Sequence, residues 1–328
     1  MTNKPLILFL FTTFLFSLSL ATPSVIINKG SFSVEDIDKE VPLKIYRLEW
    51  LKYKERESWI NRKILKQESI AKKMTVNELL YQNVDSKIIV SNKEIEDYYN
   101  KYKQWMSGTS LIKAEDYIRK QLSQKKQIYI FEEYLNQLMK KYNVVNNLKP
   151  PNPIEIMPNP IRSYSKGPID APVTIVVFSD YECNACSYFH SELDQLFEKN
   201  KNNLRIIFRH DIVATHQFSK NAAIAALCAG EQNKFWEYTD VLFENQENLD
   251  ADSLIDYAKI AKIDLSEFKQ CIQDNLVEKI LQADMNEVDR LGIEKTPAIF
   301  INGHFTDSVP SPREIQKMID ELVKNKIK

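Results

Sequence analysis

The stretch from Val173 to Cys186, Val-Thr-Ile-Val-Val-Phe-Ser-Asp-Tyr-Glu-Cys-Asn-Ala-Cys, joins a short apolar run to two cysteines. The run 173–178 predicts a buried strand, because β-branched and aromatic side chains suit a pleated sheet. Apolar residues at helical spacing follow from Phe189 to Leu196 and predict a helix. The Cys-x-x-Cys pair therefore lies where a strand ends and a helix begins.

This position gives the two thiols different properties. A helix N-terminus carries about half a positive charge and unpaired amide donors, which stabilise a thiolate on the first cysteine. We therefore expect Cys183 to be the exposed nucleophile and Cys186, one turn into the helix, to be the buried resolving thiol. Zinc sites use the same spacing, so the pair alone does not decide the function.

The second half of the chain alternates between strand and helix patterns. A second apolar run at 204–208 predicts another strand, and residues 217–291 are mostly helical in pattern. Thr296-Pro297 precedes a third strand at 298–301, and a final helix follows. A β-α-β portion and a β-α portion thus flank a helical insertion, which predicts an α/β fold for residues 170–328.

The first half of the chain has a different composition. Residues 34–145 are charged, rich in tyrosine and nearly free of glycine and proline, with apolar residues at helical spacing. Thr75 with Glu78, and Ser91 with Glu94, form capping boxes that open helices. These patterns predict an all-α N-terminal domain.

Two further segments indicate the domain organisation and the compartment. Prolines crowd residues 146–169, which predicts a semi-rigid linker between two domains. The apolar run 6–21 is shorter than the roughly 20 residues that a transmembrane helix needs, and small residues end it. We expect residues 1–21 to be a cleaved signal peptide and the protein to be periplasmic or otherwise exported. An uncleaved membrane anchor is the alternative.

The composition argues against two classes of function. The chain has 328 residues and a formal net charge of −1, so no basic field would hold a nucleic acid. It has 6 glycines and no glycine-rich phosphate loop, so a nucleotide cofactor is not expected. We expect no cofactor of any kind, because electrons can move through the cysteines themselves.

Three motifs occur in a fixed order, at residues 173–186, 230–238 and 291–303. Together they resemble the DsbA-like thiol–disulfide oxidoreductases, which have the thioredoxin fold with a helical insertion. The resemblance implies that the peptide bond before Pro297 is cis, lies against the active-site sulfurs, and lets Thr296 touch the disulfide. A generic turn proline is the alternative. The implied catalytic residues are Cys183, Cys186, Thr296 and Pro297.

Three features of the sequence depart from that family. Asn184-Ala185 lacks the His or Pro that is frequent between the cysteines, and Glu182 adds a carboxylate that disfavours a thiolate on Cys183. Val177 stands where many relatives carry a buried acid. We therefore expect a weaker oxidant than the strongest members of the family, whose potentials are about −120 mV.

The remaining cysteines, Cys228 and Cys271, lie in the helical insertion among apolar neighbours. In an oxidising compartment an even set of cysteines pairs, so we expect a structural disulfide between them. Electron exchange with the active pair is the alternative. His190 follows Cys186 by one turn, so Cys183, Cys186 and His190 could together hold copper or zinc, although structural zinc needs a fourth ligand.

Residues 35–105 resemble, more loosely, the helical chaperone region of SurA-type periplasmic folding factors, on the segments 60–73, 75–80 and 91–99. The overall prediction is an exported enzyme that forms, reduces or isomerises disulfides in proteins. The alternatives are a holdase or assembly chaperone with a vestigial redox domain, and a metal-binding thioredoxin-like protein. Expected partners are unfolded or reduced exported proteins and a membrane or soluble redox partner, with a homodimer left open and no nucleic acid.

Overall fold

The structure, a computed structural model, describes residues 25–27, 30–103 and 108–326. The predicted signal peptide at 1–21 lies outside these residues. The chain divides into a short unit that ends at Val41 and a large unit, Pro42–Lys328. Across the described ranges, no helix combines the length and the apolar character needed to cross a bilayer.

The short unit contains a two-stranded antiparallel sheet and one helix. Its elements are β1 (Val25–Ile27), β2 (Gly30–Phe32) and α1 (Val34–Glu40). A capping box between Ser33 and Asp36 starts the helix and supplies two of its unpaired amide groups with acceptors.

The first half of the large unit is helical, as the sequence predicts. Its elements are α2 (Pro42–Ala71), α3 (Val76–Asn83), a 3₁₀ turn (Asp85–Lys87), α4 (Asn92–Tyr102) and α5 (Leu111–Lys141). The predicted capping boxes at Thr75 and Ser91 begin α3 and α4. Ile64, Leu79 and Leu135 join the second half of α2 to α3 and α5 in one apolar cluster.

The second half of the large unit is an α/β structure. A single sheet contains β3 (Tyr164–Lys166), β4 (Val173–Ser179), β5 (Leu204–His210), β6 (Ala298–Ile301) and β7 (His304–Thr306), in the order β3-β5-β4-β6-β7. Strands β4 and β5 are parallel, and the other neighbours are antiparallel.

Seven helices surround this sheet. They are α6 (Asn184–Lys199), α7 (Ser219–Glu231), α8 (Phe235–Glu244), α9 (Ala251–Ile260), α10 (Leu265–Ile272), α11 (Asn275–Leu291) and α12 (Pro312–Lys326). Helices α7 to α11 are inserted between β5 and β6. The helical first half and the α/β second half with its insertion confirm the predicted fold class.

Strand β4 lies at the centre of the sheet and is buried on both faces. Val173, Ile175 and Val177 pack in a core with α6 and the inserted helices. The alternate residues Val176 and Phe178 pack in a second core. This alternation follows from the two-residue period of a strand, and it explains why the strand is apolar almost throughout.

The start of α2 belongs to the second core. Leu43 and Tyr46 are buried there together with Phe300 of β6 and Leu291 of α11. Tyr46 Oη also lies 3.3 Å from His304 Nδ1. One continuous helix therefore joins the sheet to the helical half, while the predicted boundaries at 34–145, 146–169 and 170–328 stay predictions.

The proline-rich segment is bound to the surface of the α/β half. The Ile154 amide donates to the Gly303 carbonyl at 2.8 Å, and Asn159 Nδ2 donates to Asp284 at 2.8 Å. Gly303 has a φ of +79°, and a Cβ there would lie 2.7 Å from the Ile154 carbonyl oxygen. Irregular backbone needs partners for its polar groups; the Gly303 carbonyl is one, and Glu287 of α11 accepts a hydrogen bond of 2.6 Å from the Met157 amide.

Candidate active site

Cys183 and Cys186 lie at the carboxyl end of β4, where α6 begins. Cys183 is the N-cap residue of α6, and its carbonyl accepts a hydrogen bond of 3.0 Å from the Cys186 amide. Both are free thiols, with Cys183 partly exposed and Cys186 buried at 1% exposure. The outer thiol thus lies at the first position of the strand-to-helix turn and the inner thiol one turn into α6.

Thr296 and Pro297 lie beside this turn because of how the sheet is paired. Strand β6 runs antiparallel to β4, with Ala298 opposite Phe178 at the end of the central strand. The Thr296–Pro297 peptide bond is cis, and the Thr296 carbonyl oxygen lies 3.6 Å from Cys183 Sγ. The structure therefore brings together the four residues that the sequence predicts, while their catalytic roles stay predictions.

The two thiols have opposite electrostatic environments. The pKa of Cys183 is lowered to about 6, mainly by a hydrogen bond from the Cys186 thiol and further by bonds from Thr296 and the amides of Ala185 and Cys186, which together outweigh partial burial. Burial raises the pKa of Cys186 well above its usual value, and the neighbouring Cys183 sulfur raises it further. Near neutral pH, Cys183 is therefore the thiolate of the pair.

Glu182, the acid that the sequence predicts to disfavour this thiolate, is bound elsewhere. Its Oε2 accepts hydrogen bonds from the amides of Phe218 and Ser219 at 2.6 Å and 2.7 Å. These amides begin α7, where the helix dipole favours an anion. The carboxylate of Glu182 thus caps the start of α7.

One acid near the site, Asp211, is not among the residues predicted from the sequence. Asp211 follows β5 directly and is 7% exposed. Burial, together with the charges of Asp180, Asp289 and Cys183, raises its pKa to about 6. A signal was present, because a polar residue directly after a strand parallel to β4 must lie at the same sheet edge as the cysteine pair.

The other two cysteines form a disulfide in the structure. Cys228 of α7 and Cys271 of α10 are bonded across a sequence separation of 43 residues. Cys228 is fully buried. The bond links two inserted helices, so the cysteines at the start of α6 are the ones left as thiols.

His190 lies with the carboxylates of Asp194 and Asp240. Its Nε2 is 2.7 Å from Asp240 and 3.3 Å from Asp194, and possible ligand atoms of the three residues lie within 4.8 Å of one another. The ammonium group of Lys166 is paired with Asp194 in the same cluster. A cation already neutralises part of this donor set, which disfavours the binding of a second cation there.

Comparison with known proteins gives one family. Residues 162–321 match the thioredoxin family. Among curated proteins, an Na⁺/H⁺ antiporter, NhaA 1 of Salinispora arenicola, is 32% identical over 146 residues, which are 44% of this chain and 22% of that protein. The chain therefore spans about a fifth of the length of such relatives, and nothing about ion exchange follows for it.

Two solved structures are similar to the second half of the chain. Oxidised BdbD of Bacillus subtilis is 26% identical, with a TM-score of 0.45, and the match covers 49% of this chain and 92% of that one. The thiol–disulfide exchange protein alpha-DsbA2 of Wolbachia pipientis is 24% identical, with a TM-score of 0.45, over 49% of this chain and 87% of that one.

The family match includes the whole sheet, the cysteine pair and the loop before β6. Together with a low-pKa thiol at a helix N-terminus, it supports thiol–disulfide oxidoreductase activity in general. Residues 162–321, just under half of the chain, are similar to the thioredoxin family.

Proposed function

We propose that this chain is an exported, DsbA-like oxidoreductase that exchanges disulfides with protein substrates through Cys183 and Cys186. The observation that carries the proposal is the contrast within the pair. The outer thiol has a pKa of about 6 and lies beside Thr296, while the inner thiol is buried and protonated. Enzymes that exchange disulfides need one thiol that attacks and leaves easily and a second thiol held close to it.

The exchange follows from this contrast. In the oxidised pair, a substrate thiolate attacks Cys183 Sγ, and the sulfur of Cys186 leaves and takes up a proton. A second substrate thiolate then attacks the substrate sulfur of the mixed disulfide, and Cys183 leaves as a thiolate. The substrate loses two electrons and the pair gains them. A low pKa makes Cys183 the better leaving group, which favours this direction.

The test uses reduced, unfolded ribonuclease for oxidation and insulin for reduction. Cys183→Ser should abolish both activities, and Cys186→Ser should accumulate a mixed disulfide at Cys183. Ser253→Ala, at a surface helix cap distant in sequence from the pair, is the matched control and should keep both activities. Full activity in Cys183→Ser would refute the proposal.

A second candidate function is a holdase activity of the helical half. Large apolar side chains are exposed there, among them Leu51 at 63%, Trp59 at 56% and Ile112 at 87%. Exposed apolar patches mark surfaces that bind other proteins. A holdase would suppress aggregation of unfolded citrate synthase equally well in wild type and Cys183→Ser, and it would lose that capacity in Leu51→Ser/Trp59→Ser.

We also propose export with removal of residues 1–21. The sequence argument is the short apolar run that ends in small residues. Intact-mass measurement of the mature protein should give a chain that begins at Thr22. A mature mass that includes the first 21 residues would favour the membrane-anchor alternative.

A further inference from the structure

A small cavity lies beside Cys186, the buried thiol of the pair. Its volume is about 10 Å³, which is close to the room that one water molecule needs. Most of its wall is apolar, including Val177, Leu193 and Phe208. Besides Cys186, the ionisable side chains that line it are Lys166, His190 and Asp194.

His190 is placed to connect this cavity with solvent. It follows Cys186 by one turn of α6, so both side chains lie on the same helix face. Its ring is buried, and its Nε2 lies 2.7 Å from the half-exposed carboxylate of Asp240 on α8. Burial raises the pKa of Asp240, but the hydrogen bond from His190 and the charges of His190 and Lys166 outweigh it, so the net shift is downward.

The other charged groups around His190 are already paired. The ammonium group of Lys166, on β3, binds Asp194 and lies 4.5 Å from the centre of the Trp236 ring. Asp194, on α6, also lies 3.3 Å from His190 Nε2. Among the side chains that line the cavity with Cys186, the imidazole is therefore the one whose ring nitrogens can both accept and donate a proton.

Cys186 needs such a base for one step of the exchange. When it attacks the mixed disulfide at Cys183, its proton must leave first, and burial strongly favours the protonated thiol. A proton held in an apolar enclosure needs a nearby acceptor to depart at neutral pH.

We propose that His190 accepts the proton of Cys186, directly or across one water, when Cys186 closes the disulfide with Cys183. The inference rests on the proposed function. The S–H proton passes to the imidazole, the Cys183–Cys186 bond forms, and the bond between Cys183 and the substrate sulfur breaks. The substrate leaves as a thiolate with the bonding electrons. Asp240 stabilises the imidazolium, which then loses its proton to solvent, and the reverse reaction returns a proton to Cys186.

The test separates the two sulfur steps with 5,5′-dithiobis(2-nitrobenzoate) in stopped flow. Attack by Cys183 releases one thionitrobenzoate, and closure by Cys186 releases a second. His190→Gln should slow the second phase at least tenfold at pH 7, in line with the usual contribution of a positioned base. It should leave the first phase unchanged. His304→Gln, which changes a histidine that contacts Tyr46, is the control and should leave both phases unchanged.

The pH profile gives a second readout. In His190→Gln the second phase should rise about tenfold per pH unit as hydroxide replaces the lost base, while in wild type it should change less than threefold between pH 7 and 9. Equal second phases in wild type and His190→Gln would overturn the inference alone. A tenfold rise of the wild-type second phase per pH unit would also overturn the role of His190. A missing first phase in wild type would instead refute the proposed function.

Discussion

The low pKa of Cys183 makes a quantitative prediction about how fast it reacts. At pH 6 about half of Cys183 is thiolate, against about 0.1% of a thiol with the ordinary pKa of 9.0. This is roughly a 500-fold advantage in thiolate. A lower pKa also weakens each thiolate as a nucleophile, and over three pKa units a Brønsted slope of about 0.4–0.5 costs about 16- to 32-fold.

The two effects predict a crossover with pH. At pH 6 Cys183 should react about 15 to 30 times faster than an ordinary thiol, and at pH 9 about 8 to 16 times more slowly. The rates should become equal between about pH 7 and pH 8. A simple increase in reactivity at every pH is not expected.

The assay follows loss of the fully reduced protein in excess 2-hydroxyethyl disulfide, with acid quenching and mass spectrometry. Peptide mapping assigns the first modified sulfur. The reference is an unfolded peptide of residues 178–188 in which Cys186 is replaced by Ser. A rate profile for Cys183 with its midpoint near pH 9 and no crossover with the peptide would refute the assignment of a stabilised thiolate.

Three further outcomes follow from the same structure. Cys186→Ala removes the hydrogen bond that contributes most to the low pKa of Cys183, so the midpoint of its rate profile should move above pH 6, and Cys186→Ser should move it less. Replacing Cys228 and Cys271 together by Ala should cost roughly 4 kcal/mol in urea unfolding, from the loop entropy of 43 residues, and an unchanged midpoint would contradict this. Burial, together with the charges of Asp180, Asp289 and Cys183, raises the pKa of Asp211 from 3.8 to about 6, so ionising it destabilises the fold as pH rises through that interval. The free energy of unfolding of Asp211→Asn should therefore rise by up to about 3 kcal/mol relative to that of wild type between pH 4 and pH 7. If the unfolding free energies of the two proteins instead depend on pH in the same way, the raised pKa of Asp211 is refuted.

The elements that were predictable from sequence are those whose local pattern is strong. Strand β4, the helix after it and the strand after Pro297 all have apolar runs or periodicity that fix their type. The edge strands Tyr164–Lys166 and His304–Thr306 were not predicted. Three residues are too few to show a period, and pairing with β5 and β6 defines these strands instead.

The site residues that could be predicted are those that are close in sequence or belong to a family motif. The cysteine pair occupies four consecutive positions, and the family resemblance supplied Thr296 and Pro297. The pairing of His190 with Asp240 joins residues 50 positions apart, and no local pattern marks it. The binding of Glu182 to the start of α7 was missed for the same reason, because a carboxylate beside a cysteine in sequence need not point at its sulfur.

Helix α2 is a rod of 30 residues, about 45 Å long at about 1.5 Å per residue. Its first turns are embedded behind the central strands, and its far end carries the cluster of Ile64, Leu79 and Leu135. Cutting the chain in the proline-rich stretch would therefore remove Leu43 and Tyr46 from the core that also contains Phe178 and Phe300. A shortened chain that keeps the cysteine pair should therefore also keep α2. This helix begins more than a hundred residues before the pair in sequence, yet its first turns form part of the core of the α/β half.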